Sequence, residues 1–110
     1  MTTLADFDID KGSTFRRNLT IVDNNKTPLN LTQYTIKGQL RKNYTSLEFV
    51  DFEIIILNAT TGKILLTLAD DVTDLLIFPK YVYDVEIISP VGITTRILEG
   101  SLTISPNVTR

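Results

Sequence analysis

Apolar and polar residues alternate with a period of two along most of the chain, and Thr, Val, Ile, Tyr and Phe dominate the alternating stretches. That pattern predicts half-buried β-strands. Tyr34–Arg41 is the clearest case: Tyr34, Ile36, Gly38 and Leu40 share one face, and Thr35, Lys37, Gln39 and Arg41 the other. Thr14–Val22 places Phe15, Leu19 and Ile21 on one side, with Arg17 interrupting it. Phe49–Leu57 reads as a further strand, and Asn58–Gly62 as the turn of a hairpin whose second arm is Lys63–Leu68. In Tyr81–Ile88 the positions Tyr81, Tyr83, Val85 and Ile87 alternate with Asp84 and Glu86. The final strand begins with Ile93, Thr95 and Ile97 in one phase and continues with Leu98, Gly100, Leu102 and Ile104 in the other. A change of phase needs an extra residue, so a bulge is predicted near Glu99-Gly100.

The single break in period is Ala69–Phe78. Asp70 or Asp71 would cap one short helical turn near residues 70–77, with Pro79 stopping it, as a crossover between strands. About seven short strands spaced roughly 8 to 15 residues apart, with no sustained helix, predict an all-β fold. The architecture they imply is one domain over residues 1–110, an antiparallel immunoglobulin-like β-sandwich, with a small open barrel as the alternative. Tyr81, at the start of the penultimate strand, stands either where a tyrosine corner would sit or as an ordinary core tyrosine.

Composition narrows the chemistry. The 110 residues contain neither Cys nor His, which removes disulfides, thiol nucleophiles, the commonest general base and the commonest metal ligand. Eleven basic residues against thirteen acidic give a net charge of −2, and no basic cluster exceeds Arg16-Arg17, so no electrostatic nucleic-acid footprint is present. Met1–Asp6 has neither a basic nor an apolar signal region, and Ile54–Leu57 is too short to span a bilayer. A protein made in a cytoplasm, or assembled there into something larger, is the expectation.

Three motifs have a bland explanation. Asp6-Phe7-Asp8-Ile9-Asp10 followed by Gly12 is like a calcium loop, but the glycine is one residue late and Arg17 stands where the bidentate glutamate belongs. An acidic solvent face fits better. Five Asn-x-Thr triplets begin at Asn18, Asn30, Asn43, Asn58 and Asn107. Without a secretion signal they read as Asn in turns and Thr on strands. Asp70, Asp71 and Asp74 are the densest carboxylates, and helix capping explains them more simply than glycoside hydrolysis. No nucleophile, base and orienter set is evident, and four Tyr without Trp make a poor sugar-binding platform.

Several pieces occur in a telling order. They are Gly12-Ser13-Thr14-Phe15, Pro28-Leu29-Asn30-Leu31-Thr32-Gln33-Tyr34, Arg41, Gly62–Leu68, Tyr81–Glu86, and Gly92–Arg110 with its Arg96, Gly100 and closing Val108-Thr109-Arg110. Together they resemble the small immunoglobulin-like β-sandwich module of tailed-bacteriophage virion proteins, the type at the N-terminus of baseplate upper proteins. Asn30, Gln33 and Lys80 depart from that pattern, which prefers Asp, Gly and Gly there.

The resemblance implies a non-enzymatic virion component without cofactor, in the tail, baseplate or fibre-attachment apparatus, present in multiple copies in a symmetric assembly. Its partners would be other virion structural proteins, with neither nucleic acid nor membrane. A capsid decoration protein and a carbohydrate-binding adhesion module are the alternatives. Edge strands would do the docking. The expected surfaces are the first strand, with Phe7, Ile9 and Lys11, and the C-terminal strand ending in Val108, Thr109 and Arg110. Tyr81, Tyr83, Asp84, Arg96 and Gly100 carry the family signature.

Overall fold

A computed structural model describes residues 3–23 and 25–106. Among the described residues nine strands form, β1 (Thr3–Leu4), β2 (Phe7–Asp10), β3 (Phe15–Thr20), β4 (Thr35–Arg41), β5 (Val50–Asp51), β6 (Glu53–Asn58), β7 (Lys63–Leu68), β8 (Lys80–Ile88) and β9 (Thr94–Ser105), with one helical turn, α1 (Asp70–Thr73). One sheet runs β1-β9-β8-β4-β5, with β2 also on β9, and the other runs β3-β7-β6. The fold is therefore an all-β sandwich.

Alternation explains the core. The faces carrying Ile36, Gly38 and Leu40 on β4, and Tyr81, Tyr83, Val85 and Ile87 on β8, turn inward against Ile64, Leu66 and Leu68 of β7. A second cluster at one end joins Ile21, Leu31, Ile64 and Ile87. Burying a residue such as Leu66, which is fully covered, contributes about 1.5–3 kcal/mol.

Four departures from the expected elements have physical causes. First, Phe49–Leu57 is not one strand. The chain pairs with β4 at Val50–Asp51, turns at buried Phe52, whose amide donates to the Gly38 carbonyl at 2.9 Å, and joins the other sheet as β6.

Second, the phase change in β9 falls at Ile97, where the register with β8 shifts, and not at Glu99-Gly100. Gly100 has another duty. A Cβ there would lie 1.9 Å from the Ala5 carbonyl oxygen, so the glycine admits the N-terminal segment against β9.

Third, the sheets are not wholly antiparallel, because β1 and β2 both pair in parallel with β9. Fourth, neither Asp70 nor Asp71 caps the helical turn. Ala69 holds the cap position, without a side-chain hydrogen bond, and the turn ends at Thr73, well before Pro79.

Two details resolve the sequence's oddities. Arg17, which interrupts the apolar face of β3, lays its guanidinium 5.5 Å from the Phe7 ring centre and 5.2 Å from that of Phe15. The charge thus stays wet while its stem covers the edge of the core. Gln33 adopts φ 67°, the left-handed region that glycine fills without penalty.

Candidate interaction surface

The strand directions bring three connections to one end of the sandwich: the β2–β3 turn, residues 42–49 between β4 and β5, and residues 69–79 between β7 and β8. A groove of about 420 Å³ opens between the last two. Its walls are largely apolar and largely uncovered. Leu75 and Ile77 are 76% and 74% exposed, and Phe49 and Phe78 are exposed as well. Leu47 and Tyr44 stand out further along the first loop.

Local hydrogen bonding explains why these side chains point outward. Thr73 is fully buried, and its Oγ1 accepts from the Gly12 amide at 3.1 Å and lies 2.8 Å from the Ser13 carbonyl it can donate to. That bond staples α1 to the β2–β3 turn. Tyr81 Oη then accepts from the amides of Ile77 (3.1 Å) and Phe78 (3.3 Å), the bond back to upstream backbone expected of a tyrosine corner. Pinned at both ends, the Leu75–Phe78 run buries only Leu76.

The opposite wall is shaped by Arg41, whose Nη1 donates to the Ser46 carbonyl, and by Asn43, whose Oδ1 accepts from the amide and hydroxyl of Thr45 at 3.1 and 3.0 Å. Two cations shade the aromatic walls: Arg41 lies 5.0 Å from the Phe49 ring centre and Lys42 Nζ 5.5 Å from that of Phe78. An apolar groove with cations over its rings can bind another protein's apolar side chains and accept a carboxylate at its margin.

The residues singled out in the sequence are distributed elsewhere. Phe7 and Ile9 face the core, Ile9 being buried, while the Lys11 amide donates to the Ser105 carbonyl at 2.9 Å. The first and last strands therefore pair with each other, and β9 is an interior strand, with β8 on its other side. Tyr83 packs its ring 5.7 Å from Phe7 and donates its hydroxyl to the Ala5 carbonyl at 2.6 Å. Burial, and secondarily the Asp6 carboxylate, push its phenol well above the usual value.

Asp6 accepts from the Ser101 amide and hydroxyl at 2.9 and 3.1 Å, and these two bonds hold its carboxyl below the usual range. Arg96 pairs with Asp84 (3.4 Å) and Glu99 (3.1 Å) on the outer face. Exposed pairs of this kind contribute about 0–1 kcal/mol. Val108, Thr109 and Arg110 lie outside the described residues.

The groove was missed by sequence reasoning, although Leu75-Leu76-Ile77-Phe78 is an apolar run placed in a crossover rather than a strand. That misplacement was the available signal. Among the described residues, no three His, Cys, Asp or Glu side chains gather as a metal-binding group, and no helix is long and apolar enough to cross a membrane.

No protein-family model matches the chain, and no curated protein matches it. Among solved structures the chain is similar to the N-terminal domain of phage TP901-1 ORF48, with a TM-score of 0.63 and 11% identity, covering 92% of this chain and 85% of that one. It is also similar to the Listeria monocytogenes internalin-like protein lmo2027, with a TM-score of 0.45 and 20% identity, covering 96% of this chain and 28% of that one. The phage domain shares the sandwich fold along nearly its whole length.

Proposed function

We propose that the protein is a non-enzymatic structural component of a tailed-phage virion, in the tail, baseplate or fibre-attachment apparatus, working through contacts with other virion proteins. The apolar groove between residues 42–49 and 74–79 carries this reading, since uncovered Leu75, Ile77, Phe49 and Phe78 mark a docking surface rather than a reaction centre. The likeness, over 92% of this chain, to a phage protein's N-terminal domain supports the phage part of this reading. The partner is a second structural protein that presents apolar anchors to the groove, with an acidic group for Arg41 and Lys42.

Replacing both Leu75 and Ile77 with Glu tests the reading. The variant is expected to keep the denaturant midpoint of the wild type, because both side chains are exposed, and to be lost from particles assembled in its presence. Unchanged incorporation would remove the groove from the assembly. Quantitative mass spectrometry of purified particles gives the copy number, and hundreds of copies would move the protein from the tail to the shell.

A further inference from the structure

The two sheets have four free edges among the described residues, each offering main-chain N–H and C=O groups that another strand can complete. Three are guarded. The β1/β2 edge is interrupted where Ala5 and Asp6 dip onto Gly100 and Ser101. The β5 edge is two residues long, and the part of β4 that it leaves open carries Lys37. The β3 edge carries Arg16 and Arg17.

The β6 edge is guarded only at its far end, where Leu57 is an extra residue against β7, and Ile54–Ile56 before it is regular. Its Ile54-Ile55-Ile56-Leu57 run carries no charge, and Ile55, Ile56 and Leu57 are 43%, 42% and 54% exposed. Ile56 pairs with fully buried Ile64 and so shares a face with Ile54, which packs against the core, yet it stays 42% exposed.

We propose that β6 is a pairing edge for β6 of a second copy of this chain, antiparallel and centred on Ile55, joining two three-stranded sheets into one of six. The strand is complementary to itself in this register. Ile55 lies opposite the partner's Ile55 on the outer face, and Ile54 opposite the partner's Ile56 on the inner face, which closes the gap beside Ile56. The irregularity at Leu57 limits the regular pairing to Ile54–Ile56, which leaves the two Glu53 carboxylates at opposite ends, where no like charges meet. The same self-pairing on β3 would bring arginines together.

Hydrogen bonds from the main chain provide the affinity and the isoleucine pairs set the register. One strand pair covers less than the roughly 1,200 Å² of a standard stable interface, so the dimer is weak in solution and is strengthened when many copies are held together. This inference rests on β6 alone and is independent of the groove.

Because the chain has no cysteine, Ile55→Cys introduces a single thiol at the dyad, where opposed Cβ atoms come within disulfide reach. Under mild oxidation this variant of the full chain is expected to form a reducible dimer at least about tenfold faster than Thr20→Cys, an exposed position on β3. Sedimentation equilibrium of the wild type is expected to show concentration-dependent dimerisation, weakened about tenfold or more by Ile55→Lys. Equal cross-linking of the two cysteine variants, or a wild type that stays monomeric to about 1 mM, would overturn the proposal. Undiminished dimerisation of Ile55→Lys would do the same.

Discussion

At the scale of single residues, polar side chains with buried or repeated partners hold the turns. Asn30, Asn43 and Asn58 each accept from the Thr two positions on, at 2.6, 3.0 and 2.9 Å from its hydroxyl, so these Asn-x-Thr triplets close turns on themselves. Their Asn was legible as turn chemistry. Their Thr was not, because it too belongs to the turn and not to a strand. Thr73 was less legible still, since Asp-Asp-Val-Thr-Asp reads as an exposed polar crossover and nothing in it announces a partner some sixty residues away. Replacing Thr73 by Val keeps the shape but orphans the Gly12 amide and the Ser13 carbonyl, and should cost about 1–3 kcal/mol. Thr73→Ser retains the hydroxyl and should cost less. Urea midpoints of the two variants, at an unchanged denaturant slope, check the difference.

At the scale of elements, β4 and β8 followed from alternation because each keeps one phase throughout, and β7, buried along Ile64–Leu68, followed from the hairpin turn before it. The split at Phe52, the bulge at Ile97 and the parallel N-terminal strap depend on where another strand ends, which a local period does not contain. The strap is the element most exposed to pH. Ala5 and Asp6 are held by Tyr83, Ser101 and the Glu99 carbonyl, which accepts from the Ala5 amide at 2.9 Å. The carboxyl of Asp6 binds its proton more weakly in the folded chain than in the unfolded one, so its contribution is present above about pH 4 and lost as the pH falls further. Tyr83 keeps its proton where an unfolded tyrosine ionises, so its contribution is present below about pH 10 and lost above. Stability should therefore fall on both sides of a plateau. Asp6→Asn should flatten part of the acid limb, and Tyr83→Phe part of the alkaline limb while lowering the plateau by about 0.5–1.5 kcal/mol. Chemical denaturation from pH 3 to 11 reads both; limbs unchanged by either substitution would contradict the strap's role.

At the scale of the whole molecule, the sandwich measures 44 × 28 × 21 Å, with the groove at one end and the bare β6 edge along one side. Composition alone revealed neither surface, because Leu75–Phe78 and Ile54–Leu57 are as apolar as runs such as Ile64–Leu66 that fill the core, and only the place of Leu75–Phe78 in a crossover pointed to the groove. Only the topology decides which apolar run is covered. These surfaces sit on a chain with a net charge of −2 at pH 7 and a pI near 4.9, so electrostatic repulsion between molecules is weak at neutrality and vanishes near pH 5. Apolar attraction does not titrate, and net attraction in solution should therefore grow as the pH falls from 8 towards 5. Two added glutamates change that balance through charge wherever they are placed, and through the groove only when they replace its walls. The Leu75→Glu, Ile77→Glu pair and a Val91→Glu, Ile93→Glu pair at the opposite, equally solvated end both lower the net charge at pH 7 from −2 to −4. Static light scattering should give a markedly more positive second virial coefficient for the first pair than for the second at every pH in that range. Equal values would mean that charge alone governs association and that the groove is not adhesive.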